Sequence, residues 1–184
     1  MLLLIYSLES IYMTKSNLDL LNQIPFLIHR KEIIKKHQKL LCKYESVDNL
    51  YLTMICNFTN IHINSDVNLL DYEKSIQENN YIETNYFAIS KIFWLFADNI
   101  QGDQWFLYKL NNIVYYYDHD KGEYQINEFK SLNVSFVQFI QFSLLCRELE
   151  SFSFPLSDEY KSEFIRKSNE IHENILEFYP YRLW

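Results

Sequence analysis

The densest alternation of apolar and polar residues lies between positions 91 and 129. Short aromatic-rich runs recur there, and both glycines of the chain, Gly102 and Gly122, fall between the runs. Alternation of this kind, interrupted by Asn, Asp and Gly, is typical of antiparallel strands joined by tight turns. The stretch therefore predicts a β-meander around which the remaining segments are organised.

The pattern predicts four strands, at residues 86–97, 104–109, 113–117 and 123–129, with turns at 98–103, 111–112 and 118–122. In the second strand, Trp105 and Leu107 should occupy one face and Phe106 and Tyr108 the other, because side chains alternate along a strand. The Asn pair at 111–112 suits a hairpin turn, since asparagine tolerates positive φ.

Helical spacing dominates the chain before the meander. Apolar residues recur every three or four positions from Phe26 to Tyr44, and Pro25 fits the first turn of a helix, where its missing N–H would be unpaired anyway. The other elements predicted here are a helix at 17–23, a helix from Ser46–Asp48 to about 57–60, a strand at 61–64, a helix capped by Ser65 or Asp66, and a polar linker at 78–85.

Two helices are predicted after the meander. The first runs from Val134 to Leu149 with Ser131 or Asn133 as its N-cap, and the second is capped by Ser157 and ended by Pro180. The predicted fold class is therefore α+β. A central, mostly antiparallel β-meander sheet packs against flanking helices, with an extra C-terminal helix.

The length of 184 residues fits a single domain spanning 1–184. We expect its core at about 45–147, an N-terminal helical segment at 1–44 and the C-terminal helix at 156–179. Apolar residues make up 48% and aromatic residues 17% of the chain, which excludes a disordered protein.

Charge is unevenly distributed along the chain. The net charge is −7, but residues 1–46 carry seven Lys or Arg and four Asp or Glu, so the remaining 138 residues carry −10. An acidic body favours a basic partner and disfavours nucleic acid as the main ligand. Ordinary solubility is an equally simple explanation of the acidity. The basic residues at 30–43 fit either a solvated helix face or a surface for nucleic acid or an acidic partner, and the solvated face is the simpler interpretation.

The cysteines and the N-terminus bear on location. Cys42, Cys56 and Cys146 are odd in number, widely spaced and without a CxxC pair, which favours reduced thiols over disulfides or a metal ribbon. The apolar N-terminus has no basic flank and reaches Glu9 after eight residues, too few to span a membrane. We therefore expect a cytoplasmic protein that does not contact a membrane.

An Asp-His-Asp run in the second turn, Asp118 to Asp120, is the strongest candidate for chemistry. Together with Asp98 and Asp103 it could supply nitrogen and oxygen ligands for a metal. Adjacent residues on a turn point in different directions, however, and Asp favours turns by bonding to neighbouring backbone N–H groups. We therefore predict a structural role, with no metal and no cofactor.

Nucleophile and phosphate-binding motifs such as GxSxG, HExxH and GxGxxG are absent from the sequence. A Cys–His pair that meets only in space remains open, but buried, inert thiols are the simpler expectation. The sequence therefore predicts a protein that is not an enzyme.

Four segments, taken in order, resemble the SUKH superfamily, which includes fungal cell-wall-assembly regulators and bacterial immunity proteins. They are the helix at 47–58 with the turn at 57–60, the segment at 69–79, Phe96-Ala97-Asp98 with Gly102 to Leu107, and Val114 to Asp120 followed by Ser135 to Ile140. The resemblance covers roughly 45–147. It departs from the family pattern where Ser46 to Tyr51 replaces the usual Leu-Pro-x-x-Tyr, where Asn60 replaces Gly, and in the added helix after Leu156.

This resemblance implies a non-enzymatic domain that binds and neutralises a cognate bacterial toxin, and the acidic body suits a basic toxin such as a nuclease. The predicted partner-binding residues lie on the turns and the adjacent strand ends: Asp98, Asp103, Trp105, Asp118, His119 and Asp120. Two alternatives stay open, a regulatory or scaffolding domain without a toxin partner and a metal-dependent enzyme. The sequence does not distinguish a monomer from a homodimer.

Overall fold

The computed structural model of the chain describes residues 21–22, 24, 28–29, 48–59, 61–152 and 155–184. Most of the predicted helical segment at 1–44, including Cys42, therefore lies outside the described residues. Ile28–His29 is described as a short strand paired with Phe58–Thr59, so the helix predicted from Phe26 is wrong at these two positions.

Within the described residues the chain forms an α+β fold. The strands are β1 Ile28–His29, β2 Phe58–Thr59, β3 Ile61–Asn64, β4 Val67–Leu69, β5 Phe93–Asp98, β6 Gln104–Tyr108, β7 Ile113–Tyr117 and β8 Lys130–Ser135. The helices are α1 Asn49–Asn57, α2 Tyr72–Asn85, α3 Phe87–Ile92, α4 Phe136–Glu150, α5 Asp158–Ile171 and α6 Ile175–Phe178. Strands β3 to β8 form a six-stranded sheet in sequential order, and every neighbouring pair is antiparallel. The predicted fold class is thus confirmed.

Side-chain alternation along the strands divides the core into two clusters. Trp105 and Leu107 of β6 lie in the larger cluster, on the face covered by α1, α4, α5 and α6. Phe106 lies in a smaller cluster on the second face, with Tyr108 packed against it, as the alternation predicts. Phe129 closes this second face by stacking on Phe93 at a centroid distance of 4.3 Å.

The segment between β3 and β5 differs from its prediction. Val67–Leu69 is a strand and not the start of a helix, and α2 begins only after Asp71, whose carboxylate accepts the Lys74 N–H at 3.0 Å. Helix α2 then continues through the predicted linker at 78–85. Asn79 explains why the helix continues here. Its buried side-chain amide bonds to both the N–H and the C=O of Leu95, in a part of β5 that the short β4 does not pair with.

Three further boundaries differ from the prediction. The first half of the predicted strand at 86–97 is helix α3. The predicted strand at 123–129 is irregular, with a single 3-10 turn, and the last strand is β8. Helix α4 begins after Ser135, which forms a capping box with Gln138, and not after Ser131 or Asn133.

The C-terminal helix is capped by Ser157 as predicted, but the described helix α5 ends at Ile171. Asn174, at φ 65°, separates it from the short α6. This break lets the residues after α6 turn back over the sheet.

Tyr51 connects α1 to α2 and to the sheet. Its buried hydroxyl lies 2.7 Å from Ser75 Oγ and accepts the Trp94 indole N–H at 3.0 Å. Replacing Tyr51 with Phe removes both interactions inside the core, so we expect the free energy of unfolding to fall by about 1–2 kcal/mol in urea titrations. The control is Tyr115→Phe, which removes the hydroxyl of a half-buried tyrosine on the second face. This substitution should lower the free energy of unfolding by less than about 0.5 kcal/mol. Equal losses in the two variants would contradict a stabilising role for the Tyr51 network.

Candidate functional site

Three turns meet at one end of the sheet. Because neighbouring strands run antiparallel in sequential order, β3, β5 and β7 all finish at the same end of the sheet. We call the residues at this end, 65–66, 98–103 and 118–122, the turn end. It contains five of the six residues predicted to bind a partner.

Asn99 shapes the turn between β5 and β6. Its side-chain oxygen accepts the N–H groups of Gln101 at 3.0 Å and Asp103 at 2.9 Å. Within this turn, Gly102 has a φ of 101°, a backbone conformation that residues with a side chain rarely adopt. Gly102 also lies close to the His119 ring. The turn thus aims the Asp103 side chain at the residues that follow β7.

Asp103 is the centre of the hydrogen bonding at the turn end. It is only 3% exposed. One carboxylate oxygen accepts the His119 backbone N–H at 3.1 Å and lies 2.8 Å from His119 Nδ1. The other accepts the Tyr181 hydroxyl at 2.6 Å and the Asn99 amide at 3.3 Å.

These donors decide the charge of Asp103. Burial alone raises the pKa of its carboxyl, but the hydrogen bonds from Tyr181 and His119 outweigh burial and lower the pKa to about 2. Asp103 is therefore ionised at neutral pH. An ionised carboxylate needs a donor, so His119 carries a proton on Nδ1.

His119 lies between two carboxylates. Its side chain is 44% exposed, and Nε2 lies 3.2 Å from Asp120 Oδ1. The bond to Asp103 is the main cause that raises the pKa of the His119 imidazole. Asp118 fixes the same turn, because its carboxylate accepts the Asp120 N–H at 3.0 Å.

The structure separates the predicted binding residues by exposure. Asp120 has an 82% exposed side chain, and Asp118 is half-buried. Asp98 is partly exposed and pairs with Lys74 at 2.6 Å. With His119, these residues are accessible to a partner.

Asp103 and Trp105 are buried, so neither side chain is exposed to a partner in this structure. Trp105 is 0% exposed, and its indole N–H donates to the Asp66 carbonyl at 2.9 Å. The reason is that its side of β6 faces α4 and the C-terminal residues, where the indole packs 4.9 Å from the Phe139 ring and 6.0 Å from the Tyr179 ring. Trp105 is a core residue.

Sequence reasoning missed the tyrosines that close the turn end from the C-terminus. The Tyr181 hydroxyl donates to Asp103, and the Tyr179 hydroxyl donates to Asp66 Oδ2 at 2.7 Å. The only feature of the sequence that could have indicated their role was the aromatic composition of residues 178–184. Nothing in the sequence pairs Tyr181 with Asp103 across 78 residues.

Asp103, Asp118 and His119 can each offer one ligand atom within 4.8 Å of the others. Both oxygens of Asp103 already accept hydrogen bonds, however, and His119 Nδ1 faces one of them. A cation bound to His119 Nδ1 would have to displace the Asp103–His119 bond. The donor set therefore fits a closed hydrogen-bonded turn better than an open metal site.

The described cysteines, Cys56 and Cys146, are buried thiols that form no disulfide. Burial raises the pKa of the Cys146 thiol well above its ordinary value, with the nearby Asp66 carboxylate as a smaller cause. Both effects disfavour the thiolate that nucleophilic chemistry requires.

Comparisons with protein-family models, curated proteins and solved structures found no match to this chain. The structure therefore classifies the protein by its fold, as an α+β domain built on a sequential antiparallel sheet. Across the described ranges, no helix is both long enough and apolar enough to cross a membrane.

Proposed function

We propose that the protein is a non-enzymatic, SUKH-type binding domain that neutralises a cognate toxin by holding it against the turn end. The observation that carries the proposal is that Asp118 and Asp120 flank His119 on one turn, while Asp98 lies at the same end of the sheet, where β5 finishes. These side chains are accessible, while the buried Asp103 carboxylate fixes the turn that bears His119. A partner would meet a preorganised surface, so less ordering entropy opposes binding.

Charge supports a basic partner. Residues 47–184 carry −10, and the accessible side chains of the turn end include three aspartates. Exposed charges of this kind mainly accelerate encounter with an oppositely charged protein, and salt weakens the effect. A basic nuclease toxin has the charge that such a surface attracts.

The first test is co-expression with the product of the adjacent gene. We expect the two proteins to purify together and the chain to relieve the toxicity of its neighbour. Failure of both would overturn the proposal. Binding without relief of toxicity would instead favour a regulatory or scaffolding domain.

The second test locates the surface. The Asp118→Asn, Asp120→Asn double variant keeps a side-chain acceptor at both positions but removes two charges. We expect the association rate with the toxin to fall about 3–10-fold at low ionic strength and less at high ionic strength, measured by stopped-flow fluorescence. The Glu173→Gln, Glu177→Gln variant removes two charges from exposed positions, one just before α6 and one within it, and should change the rate less than about twofold. Equal effects would show that total charge, and not the turn end, controls association.

A metal-dependent enzyme is the second candidate function, favoured only by the closeness of Asp103, Asp118 and His119. Metal analysis of the purified protein and calorimetric titration with Mn²⁺ and Zn²⁺ test it. Stoichiometric metal that is lost in Asp118→Ala and His119→Ala variants would support this candidate over toxin binding.

A further inference from the structure

A row of tyrosines crosses the second face of the sheet, between the corner joining α2 to α3 and the irregular segment 122–129. Tyr124 packs against the buried rings of Phe106 and Tyr117, at 5.8 Å and 4.9 Å. Tyr86 contacts Tyr124 edge to face at 4.8 Å, and Tyr81 lies 6.2 Å beyond Tyr86. The row thus runs outward from the core to Tyr81, which is 55% exposed.

Two carboxylates flank this row. Glu123 accepts the Tyr86 hydroxyl, and this bond is the main reason why the pKa of Tyr86 rises to about 12. Glu78 lies near enough to Tyr124 to help raise the pKa of its phenol, although burial is the larger cause there. Tyr81, Tyr86, Tyr124, Glu78 and Glu123 together form what we call the tyrosine strip.

The strip lacks the cations that neutralise other carboxylates of the protein. Asp98 pairs with Lys74, and Glu163 pairs with Arg166 at 2.6 Å. In the part of the chain that the structure describes, no lysine or arginine comes within ion-pair distance of Glu78 or Glu123. The strip therefore presents exposed aromatic surface beside two uncompensated negative charges.

A cation–π contact next to the strip shows that exposed aromatic rings in this region attract cations. Phe87 directly follows Tyr86 and is 61% exposed, and the Lys91 ammonium lies over its ring at 4.3 Å from the centroid. Aromatic rings attract cations in this way, and a neighbouring carboxylate strengthens the attraction. Exposed tyrosines also contribute large contact areas at protein interfaces for a small loss of conformational entropy.

We propose that the tyrosine strip is a second contact surface, which binds a lysine- or arginine-bearing segment of the partner protein. The cationic head groups lie against the tyrosine rings and next to Glu78 and Glu123, and the aliphatic stems cover Tyr81. Charge complementarity selects this occupant, because an acidic peptide or a nucleic acid would face the same two carboxylates unfavourably. This inference rests on the proposed function, since it assigns the strip to the same basic partner.

The test uses a fluorescein-labelled peptide of alternating lysine and leucine, titrated into the full chain and followed by fluorescence anisotropy. We expect the Glu78→Gln, Glu123→Gln variant to raise the dissociation constant about 5–20-fold and Tyr81→Ser to raise it about 3–10-fold. The matched controls are Glu173→Gln, Glu177→Gln for the charge and Phe152→Ser for an exposed aromatic ring, each with a change below about twofold. Unchanged melting temperatures identify variants that have kept their fold.

A second readout locates the bound peptide. In amide NMR spectra, we expect the peptide to shift resonances of residues 78–87 and 122–126. Absence of binding, equal weakening in the control variants, or shifts confined to the turn end would each overturn the inference. Relief of toxicity by the unaltered chain is measured separately, so a failure of the strip is distinguishable from a failure of the proposed function.

Discussion

Replacing Trp105 with alanine should lower the free energy of unfolding by about 4 kcal/mol, because a fully buried indole leaves a cavity that its neighbours fill only in part. The substitution removes ring contacts with Tyr116, Phe139 and Tyr179 and deletes the donor to the Asp66 carbonyl. Urea unfolding monitored by circular dichroism measures the loss. The more conservative Trp105→Phe variant keeps an aromatic ring and should cost about 1–2 kcal/mol, so it tests the same site in a chain that still folds.

Trp184 supplies the matched control for Trp105. It is 38% exposed and meets the Phe164 ring at 5.6 Å, so Trp184→Ala should cost about 1 kcal/mol or less. Loss of partner binding in Trp105→Phe without a measurable stability loss would contradict the structure and identify Trp105 as a contact residue. We expect the opposite result, in which both Trp105 variants lose stability by the stated amounts and retain binding per folded molecule.

Trp105 shows which part of the candidate site could not be predicted from the sequence, namely the burial of each face of the sheet. Strand alternation correctly placed Trp105 opposite Phe106, but it cannot say which face of a sheet is covered more completely. Both faces of this sheet carry apolar side chains and both are packed, one by helices and the other by α3 and Phe129. The Asp118–Asp120 turn, in contrast, was placed correctly because a local Asp bond to the backbone determines it.

The same distinction between local and long-range causes explains the fold prediction. The β6–β7 hairpin matches its prediction, since strong alternation flanks a two-asparagine turn and Asn112 adopts φ 58°. Strand β4 was missed because its three residues, Val67 to Leu69, fit helical spacing as well as strand spacing. A helix was predicted in this region, but its continuation through residues 78–85 was missed because their polarity resembles a linker. The Asn79 bonds to β5 are invisible in the sequence.

Replacing Asp103 with asparagine should destabilise the protein strongly near neutral pH and weakly in acid. The folded-state pKa of Asp103 is about 2, below the ordinary aspartate value of 3.8. A depressed carboxyl pKa stabilises the fold above the unfolded-state value, and this contribution disappears as the pH falls from about 4 to about 2. The shift corresponds to about 2 kcal/mol, to which the asparagine amide adds a cost because it faces the donors of Tyr181 and Asn99.

We therefore expect Asp103→Asn to lower the free energy of unfolding by about 2–3 kcal/mol at about pH 7 and by roughly half of that or less at about pH 2.5. Comparing the two proteins at each pH cancels the titration of the other carboxyls, which both proteins share. The exposed Asp120→Asn control should change stability by less than about 0.5 kcal/mol at either pH.

The histidine provides an independent readout of the same substitution. The Asp103 carboxylate raises the pKa of His119, so this imidazole stabilises the fold below its unfolded-state pKa and loses that effect as the pH rises through the folded-state value. In Asp103→Asn, the His119 pKa measured by NMR should fall toward its ordinary value, and in Asp120→Asn it should fall less. A stability difference that stays constant with pH, or an unchanged His119 pKa, would show that Asp103 acts through packing and not through its charge. The predicted result would establish the bond between the buried Asp103 and the partly exposed His119 as the support that holds the accessible carboxylates of the turn end in place.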